Sequence, residues 1–459
     1  MSLPKYPEYK DSAVEWMGKV PSTWRMAPLK HCFAIFGGAT PKTDEAAYWE
    51  GGIVWVSPAD LSKLSSIYIG DSSRKISKAG LESCSATLVP KGSIVLSTRA
   101  PIGSLAIAAT ELCTNQGCKS LVPRQDISHF FYAYFLQASN EALNLRGKGT
   151  TFLELSADEL GTFKVPRPSI EEQNGIAKFL DRETAKINDL ISEQEKLITL
   201  LAEKRQATIS HAVTKGLNPD APMKDSGVEW LGAVPEHWGH SKKLVDLAAS
   251  HRHSFVNGPF GSDLLTSELV SDGVPVVYIR DIKPNGYLRV SEWCVTQKKA
   301  QQLEFCNLLP GDIIVAKVGD PPGLAAVYPV GEPEAIVTQD VIRLRIDDEI
   351  ANAEYVKWLL NSKCGQTQID SISVEATRTR VGLGDYKQLR FFVPPLLEQC
   401  EIAKFLNQEC IRLDALSNEA TRGIQLLNER RRALIVAAVS GKIDVRQAAQ
   451  QDQTILEAA

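Results

Sequence analysis

The 459-residue chain lacks any apolar run approaching the roughly 20 residues that cross a bilayer. Residues 1–7 lack the apolar stretch of a secretory signal, so a cytoplasmic location is expected. No Gly-x-x-x-x-Gly-Lys-Ser/Thr loop is present, which argues against a nucleotide-driven motor. The nine cysteines form no Cys-x-x-Cys pair and their number is odd, supporting neither a zinc site nor a disulfide framework. Histidine is scarce at seven residues, and none stands in a recognisable nucleophile or metal motif. Excess positive charge is missing too: the net charge is −4. Residues 25–165 hold 14 Lys+Arg against 12 Asp+Glu, and residues 240–393 hold 17 against 19. A chain of this balance that bound nucleic acid would have to gather its basic groups by folding.

Two short motifs hint at chemistry and fall short of it. Asp320-Pro321-Pro322-Gly323 is similar to the Asp-Pro-Pro-aromatic loop of amino-methyltransferases, but glycine replaces the aromatic that would stack on a flipped base. The matching stretch Arg99-Ala100-Pro101-Ile102-Gly103 points to an ordinary strand-to-strand turn in both places. His251 and His253 would share one face of a strand, yet the local sequence offers no further metal ligands. Binding rather than catalysis is the expectation.

What is present is a repeat. Asp11-Ser12-Ala13-Val14-Glu15-Trp16, closed by Pro21 and Trp24, returns at an offset of 214 as Asp225-Ser226-Gly227-Val228-Glu229-Trp230, closed by Pro235 and Trp238. Farther on, Glu172-Gln173 and Ile176-Ala177-Lys178-Phe179-Leu180 return as Glu398-Gln399 and Ile402-Ala403-Lys404-Phe405-Leu406. The order is arm, variable block and helix, twice. The bounds read from it are an arm over 1–24, a block over 25–165, a spacer helix over 166–216, a linker with the second arm over 217–239, a block over 240–393, a second spacer helix over 394–443 and a polar tail over 444–459.

Apolar residues at Ile176, Leu180, Ile187, Leu190, Leu197 and Leu201 fall in steps of three, four and seven, a heptad seam. The second copy repeats it at Ile402, Leu406, Leu413, Leu416 and Leu427, with Gly423 breaking the register. Pro168 and Pro395 stand at the helix starts, and Gly216 and Gly441 near their ends. About 45 helical residues make a rod of roughly 65 Å. Structural support alone is an open alternative to a spacing role. The blocks carry short β-branched runs bounded by turn residues: 53–56, 93–97 and 105–108 in the first, 274–279, 312–316 and 341–346 in the second. Each adds a helical stretch, at 129–142 and 354–362. The fold class is therefore α/β (α+β): two mixed α/β domains separated by two long antiparallel coiled-coil helices, in a pseudo-two-fold internal repeat. Trp16, Trp24, Trp230 and Trp238 are expected to pack the arms onto the helices.

The repeated Pro-x-x-Trp arms, Gly37-Gly38-Ala39-Thr40-Pro41 followed by Tyr48-Trp49 and Trp55, Asn257-Gly258-Pro259-Phe260 in the second block, and the paired Glu-Gln and Ile-Ala-x-Phe-Leu segments together resemble the specificity subunits of type I restriction-modification systems. The resemblance covers nearly the whole chain. It implies a non-catalytic reader of double-stranded DNA whose blocks are target-recognition domains, each reading half of a bipartite site. Its implied partners are two DNA adenine methyltransferase subunits and two restriction/translocase subunits. S-adenosylmethionine, ATP and magnesium would belong to those partners, and the chain itself would need no cofactor. Base and phosphate contact needs directed donors at strand ends. This singles out Arg99, Lys119, Arg146, Lys148 and Thr150 in the first block, and Arg280, Lys283, Lys317, Arg378 and Arg380 in the second. Solvated surface charge is the plain alternative for each. The rival for the whole chain is a non-catalytic coiled-coil protein-binding scaffold.

Overall fold

A computed structural model describes residues 4–64, 66–99, 101–149, 153–319, 322–373 and 381–446. The chain forms mixed α/β domains with two long helices, Ile170–Lys215 and Leu396–Val439. It divides into two units, Met1–Gln194 with Arg422–Ala459, and Glu195–Thr421. Each unit thus takes the first part of one long helix and the last part of the other.

In the first unit, the arm strands Tyr9–Asp11 and Lys19–Pro21 pair as a hairpin. The main sheet runs in the order Phe33–Gly37, Cys118–Pro123, Ile94–Ser97, Leu105–Ala108, Tyr68–Ile69. A smaller sheet holds Trp49–Val56 between Cys113–Thr114, which is parallel to it, and Lys75–Ile76. Helix His129–Ala138 covers the main sheet with a face rich in aromatics. Its Phe131, Tyr132 and Phe135 join Trp24, Ile176, Leu180, Ile435 and Val439 in one buried core. The helix expected over 129–142 stops at Ala138, and a separate short one, Asn140–Asn144, follows.

The second unit repeats the plan. Arm strands Met223–Asp225 and Ala233–Pro235 pair in the same register as their counterparts. One sheet runs Phe255–Asn257, Val341–Leu344, Ile313–Ala316, Ala325–Val327, the order of the first four strands above. In the other, Val274–Val277 lies parallel to Ala335–Val337, as Trp49–Val56 does to Cys113–Thr114. Tyr355, Trp358 and Leu359 of helix Ala353–Asn361 pack with Trp238, Ile209, Val213, Ile402 and Leu406.

A fully buried glutamine ties each long helix to its domain. The Gln173 carboxamide donates to the carbonyls of Pro168 at 3.0 Å and Asp126 at 3.3 Å, and accepts from the Ser128 N–H at 2.8 Å. Gln399 donates to Pro394 at 2.9 Å and Ile350 at 3.1 Å, and accepts from Asn352 at 2.9 Å. Ser128 and Asn352 are the N-cap residues of the domain helices. Beside each glutamine stands a glutamate that receives the arm: Tyr6 donates to Glu172 at 2.7 Å, and the Trp238 indole donates to Glu398 at 3.2 Å. Pro395 caps the second helix through its carbonyl, which accepts from Gln399, whereas Ser169 fills that place in the first and Pro168 stands one residue outside it. Gly216 and Gly441 end the helices with φ of 73° and 71°, a left-handed conformation that closes the last turn.

Two expectations are revised. The heptad seam is buried only where an α/β domain covers it: Ile176, Leu180, Ile187, Ile402, Leu406 and Leu413 are buried, while Leu190, Leu197 and Leu416 are 51%, 41% and 41% exposed. Two helices without a third layer cannot enclose a whole apolar stripe. Within the first unit Asn188 meets Arg431, and within the second Arg205 meets Asp414 at 3.2 Å, so the helix segments run antiparallel in both. The second revision concerns the arms. Trp24 and Trp238 are buried and Trp16 packs on Phe135 at 5.7 Å between centroids, but Trp230 is 50% exposed.

The glutamine anchor sets a stability prediction. Gln173→Leu or Gln399→Leu strands a buried N–H and two carbonyls, and should destabilise its own unit by about 2–3 kcal/mol. A urea unfolding curve of either variant that superimposes on the parent's would overturn this.

Candidate nucleic-acid interface

The strand ends that rise from the two sheets converge in the same way in each unit. In the first, the Gly38 N–H donates to Cys118 O, Ala39 to Thr114 O, Asn115 to Val56 O, and Thr98 to Gly117 O. In the second, Gly258 donates to Val341 O, Thr338 to Val277 O, and Lys317 to Asp340 O. These bonds equate Gly38 with Gly258, Thr98 with Lys317, and Asn115 with Thr338. The residue after that last pair is Gln116 in one unit and Gln339 in the other, both exposed.

Close approach of backbones is what demands glycine here. A Cβ on Gly38 would lie 1.9 Å from Asn115 O, and one on Gly258 would lie 2.2 Å from Val337 O. The loop after Gly38 is then pinned by tryptophans. Trp55 donates its indole N–H to Ala39 O at 2.9 Å, and Trp49 donates to Lys42 O at 3.0 Å. The two rings meet edge to face at 5.3 Å, and the Arg74 guanidinium lies 3.5 Å over Trp49. So held, the loop carries Thr40 to the Gln116 side chain, to which it hydrogen-bonds, and leaves Lys42 exposed.

A capping carboxylate steadies the neighbouring turn in each unit. Asp60 accepts from the Ser57 and Ser73 N–H groups, both at 2.9 Å, and from both hydroxyls. Burial raises its pKa, but these bonds outweigh it and hold the carboxyl below the ordinary aspartate value. Asp281, fully buried, accepts from the N–H groups of Tyr278, Val290 and Ser291, each at 2.8 Å.

The basic residues singled out from sequence fall into distinct settings. Arg99 pairs with Glu154 at 3.0 Å, and the 148–154 backbone bridge brings Lys148 to the same segment, with its ammonium on Glu159. The Lys148 hydrogen bond holds the Glu159 carboxyl below its ordinary range. Arg146 lies nearby, half-buried with its guanidinium 5.1 Å over Phe163. Arg99, Arg146 and Lys148 are therefore gathered, whereas Lys119 stands apart and half-buried on its strand. In the second unit Val381 donates to Lys317 O, as Leu155 does to Thr98 O, so Lys317 sits where the closing segment returns. Arg280 is exposed, bonded to Ser291 at 2.8 Å and stacked over Tyr278 at 5.0 Å. Lys283 lies on the short hairpin of Ile282–Lys283 with Gly286–Tyr287. Thr150, Arg378 and Arg380 lie outside the described residues.

Gln116, Gln339, Thr40, Lys42 and Arg74 were not singled out from sequence. The signal existed in Thr114-Asn115-Gln116 and Thr338-Gln339, but matching the threonines pairs Gln339 with Asn115, one residue off. Only the hydrogen-bond frame aligns the glutamines. Of the two motifs weighed as turns, Gly103 donates to Ser97 O and Gly323 to Ala316 O, while Ala100, Asp320 and Pro321 lie outside the described residues. Among the described residues no group of three His, Cys, Asp or Glu side chains could hold a metal, and no helix is long and apolar enough to cross a membrane. Burial pushes the Cys113, Cys118 and Cys306 thiols up to about 12, so none of the three is a thiolate nucleophile at neutral pH.

The arrangement presents amides, a hydroxyl and cations on an immobilised frame. Gln pairs in bidentate fashion with adenine and Arg with guanine, while Lys and Thr suit phosphates. Gly38→Ala and Gly258→Ala force backbone apart and should each cost about 3 kcal/mol. Gly52→Ala meets nothing within 4 Å and should be near neutral in the same thermal unfolding assay; equal Tm values for all three variants would contradict the close-approach argument.

The comparisons with known proteins agree with this architecture. A family model described as "Type I restriction modification DNA specificity domain" matches residues 21–200. The MjaIX specificity subunit of Methanocaldococcus jannaschii is 36% identical over 191 residues, 41% of this chain and 43% of that one, so the chain spans less than half of this relative's length. The StySPI specificity subunit of Salmonella potsdam is 20% identical over 463 residues, covering 95% of this chain and 93% of its own. In fold, the chain is similar to the HsdS subunit from Thermoanaerobacter tengcongensis, with a TM-score of 0.55 at 16% identity, covering 92% of this chain and 98% of that one. A chain from a structural study of complex assembly in the type I R-M system gives a TM-score of 0.65 at 17% identity over the same shares. Residues 21–200 thus match the type I restriction modification DNA specificity domain, and the chain as a whole is similar to the specificity subunits of type I restriction enzymes.

Proposed function

We propose that this chain is the DNA-reading subunit of a type I restriction-modification complex. Each α/β domain reads one half of an interrupted duplex target through its strand-end loops, and the long helices set the gap between halves. Methylation of adenine and restriction belong to methyltransferase and restriction/translocase partners, which would hold S-adenosylmethionine, ATP and magnesium; this chain catalyses neither step. The observation that carries the proposal is the common hydrogen-bond frame of two loop clusters whose exposed side chains differ. One frame with two sets of readers suits two unlike half-sites, and a single chain with two similar halves matches the dyad of a duplex. Gln116 and Gln339 occupy equivalent exposed places and are the proposed base readers, with Arg99, Lys42 and Arg74 in one domain and Lys317 and Arg280 in the other contacting bases or phosphates.

The test is co-expression with the cognate methyltransferase and mapping of methylated adenines across the host genome. Modification at a two-part interrupted sequence that disappears without this chain is expected. Gln116→Ala should relax one position in one half only, and Gln339→Ala one position in the other, each by about 1–3 kcal/mol of discrimination. An active methyltransferase complex with no sequence preference would favour a protein-binding scaffold instead, as would duplex binding without salt dependence.

Inserting one heptad into each long helix, at facing positions, adds about 10 Å of rod. This corresponds to about three base pairs at the duplex rise, so the methylated sequence should keep both halves and gain that gap. An unchanged gap would remove the ruler.

A further inference from the structure

The two exposed glutamines stand in the same turn but in different company. In the first unit the Asn115 carbonyl accepts from the Cys118 N–H at 3.1 Å, and Asn115 Oδ1 accepts from the Gly117 N–H at 2.9 Å, so Gln116 occupies the second position of a closed turn. In the second unit the Thr338 carbonyl accepts from the Val341 N–H at 2.9 Å and gives Gln339 the same position. The glycine lying against each turn is equivalent as well. A Cβ on Gly38 would overlap the carbonyl oxygens of Thr114 and Asn115, and one on Gly258 those of Val337 and Thr338. Two residues on from these glycines stand Thr40 and Phe260.

That place is where the two units differ in chemistry. The Thr40 hydroxyl donates to the carboxamide oxygen of Gln116. The loop that delivers Thr40 is fixed, because Trp55 and Trp49 hold the carbonyls of Ala39 and Lys42 on either side of it. With its oxygen turned to Thr40, Gln116 has its amide nitrogen left to offer, and no described residue engages that nitrogen. Phe260 has no hydroxyl to donate and is 61% exposed. The Gln339 carboxamide accordingly keeps both its oxygen and its nitrogen free of partners among the described residues.

These two states of one side chain suit different base edges. In the major groove guanine presents two neighbouring acceptors, N7 and O6, whereas adenine presents an acceptor at N7 and a donor at N6. A carboxamide that offers only N–H groups satisfies guanine and leaves the adenine amino group without an acceptor, which is unfavourable once water is excluded. A carboxamide with both ends free matches adenine, and an exposed phenyl ring matches the C5 methyl of thymine.

We propose that the residue two places after each frame glycine sets which base the glutamine of that unit reads: Thr40 makes Gln116 a reader of guanine, and Phe260 leaves Gln339 to read adenine. This rests on the DNA-reading role proposed above and adds to it the base pair at one position of each half. Thr40 is then a positioning residue, acting through the Gln116 carboxamide.

The experiment uses the full chain with its methyltransferase partner and compares methylated-adenine maps of the host genome for the parent, Gln116→Ala, Gln339→Ala, Thr40→Val and Thr40→Ser. The position that Gln116→Ala relaxes is expected to be G·C in the parent target, and the one that Gln339→Ala relaxes to be A·T. Thr40→Val keeps the shape of the side chain and removes the hydroxyl, so it should lower the preference for G·C at the Gln116 position by about tenfold and admit A·T there. Thr40→Ser should retain the parent preference, and the other half of the target should be unchanged in both variants. A·T at the Gln116 position, G·C at the Gln339 position, no relaxation by Gln116→Ala, or a Thr40→Val map identical to the parent's would overturn the inference and leave the DNA-reading role standing. A complex with no sequence preference would overturn both. Where Thr40→Val fails to fold, the base pairs at the two glutamine positions still decide.

Discussion

Everything in each unit hangs on one buried carboxamide. A long helix with a partial apolar stripe has no reason of its own to stand at a fixed angle to an α/β domain. Gln173 and Gln399 supply one, because each satisfies both the turn before its own helix and the N-cap of the domain helix. A side chain with donors and an acceptor can hold two segments in register only if both lie where the carboxamide reaches. In water the same groups would be hydrated, so the bonds add modest net stability but penalise every misaligned arrangement. The neighbouring Glu172 and Glu398 then receive the arm, so that arm, helix and domain are locked at a single junction.

This junction explains how two halves of one chain can share a frame and diverge at the surface. The elements that fit the frame are constrained by backbone contact: Gly38 and Gly258 leave no room for a side chain, and Asp60 and Asp281 cap the same turn. The frame also tolerates change within it: buried Thr98 in one unit is half-buried Lys317 in the other, and buried Ser120 is buried Arg343, without disturbing the order of the strands. Exposed loop residues such as Lys42 are freer still to differ while the scaffold continues to fold.

Much of the fold was legible in the sequence, for identifiable reasons. The repeat was visible because the arm and the Glu-Gln segment meet the same packing demand twice. Strands such as Ile94–Ser97 and Ile313–Ala316 announced themselves as short β-branched runs because both of their faces are buried. The heptad pattern correctly marked long helices but overstated their burial, since periodicity reports an apolar stripe and not whether anything covers Leu190 or Leu197. The site was less legible. Basic residues were found by type, yet type does not distinguish Arg146, resting on Phe163, from the exposed Arg280. The glutamines were missed because the threonines beside them stand one place apart in the common frame, so matching threonine to threonine hides their equivalence.

By itself, then, the sequence determined the duplicated order of arm, domain and helix, the α/β character of the domains and the family resemblance. These rest on local pattern and on residue types that recur at matching places. Tertiary structure alone decided which end of which helix completes each unit, since Trp24 meets Val439 and Trp238 meets Val213 across hundreds or tens of residues of chain. It also decided which polar side chains are spent on the scaffold and which are left to meet a ligand. Hydrogen-bond partners and burial depend on where distant segments arrive, and no local pattern encodes that arrival.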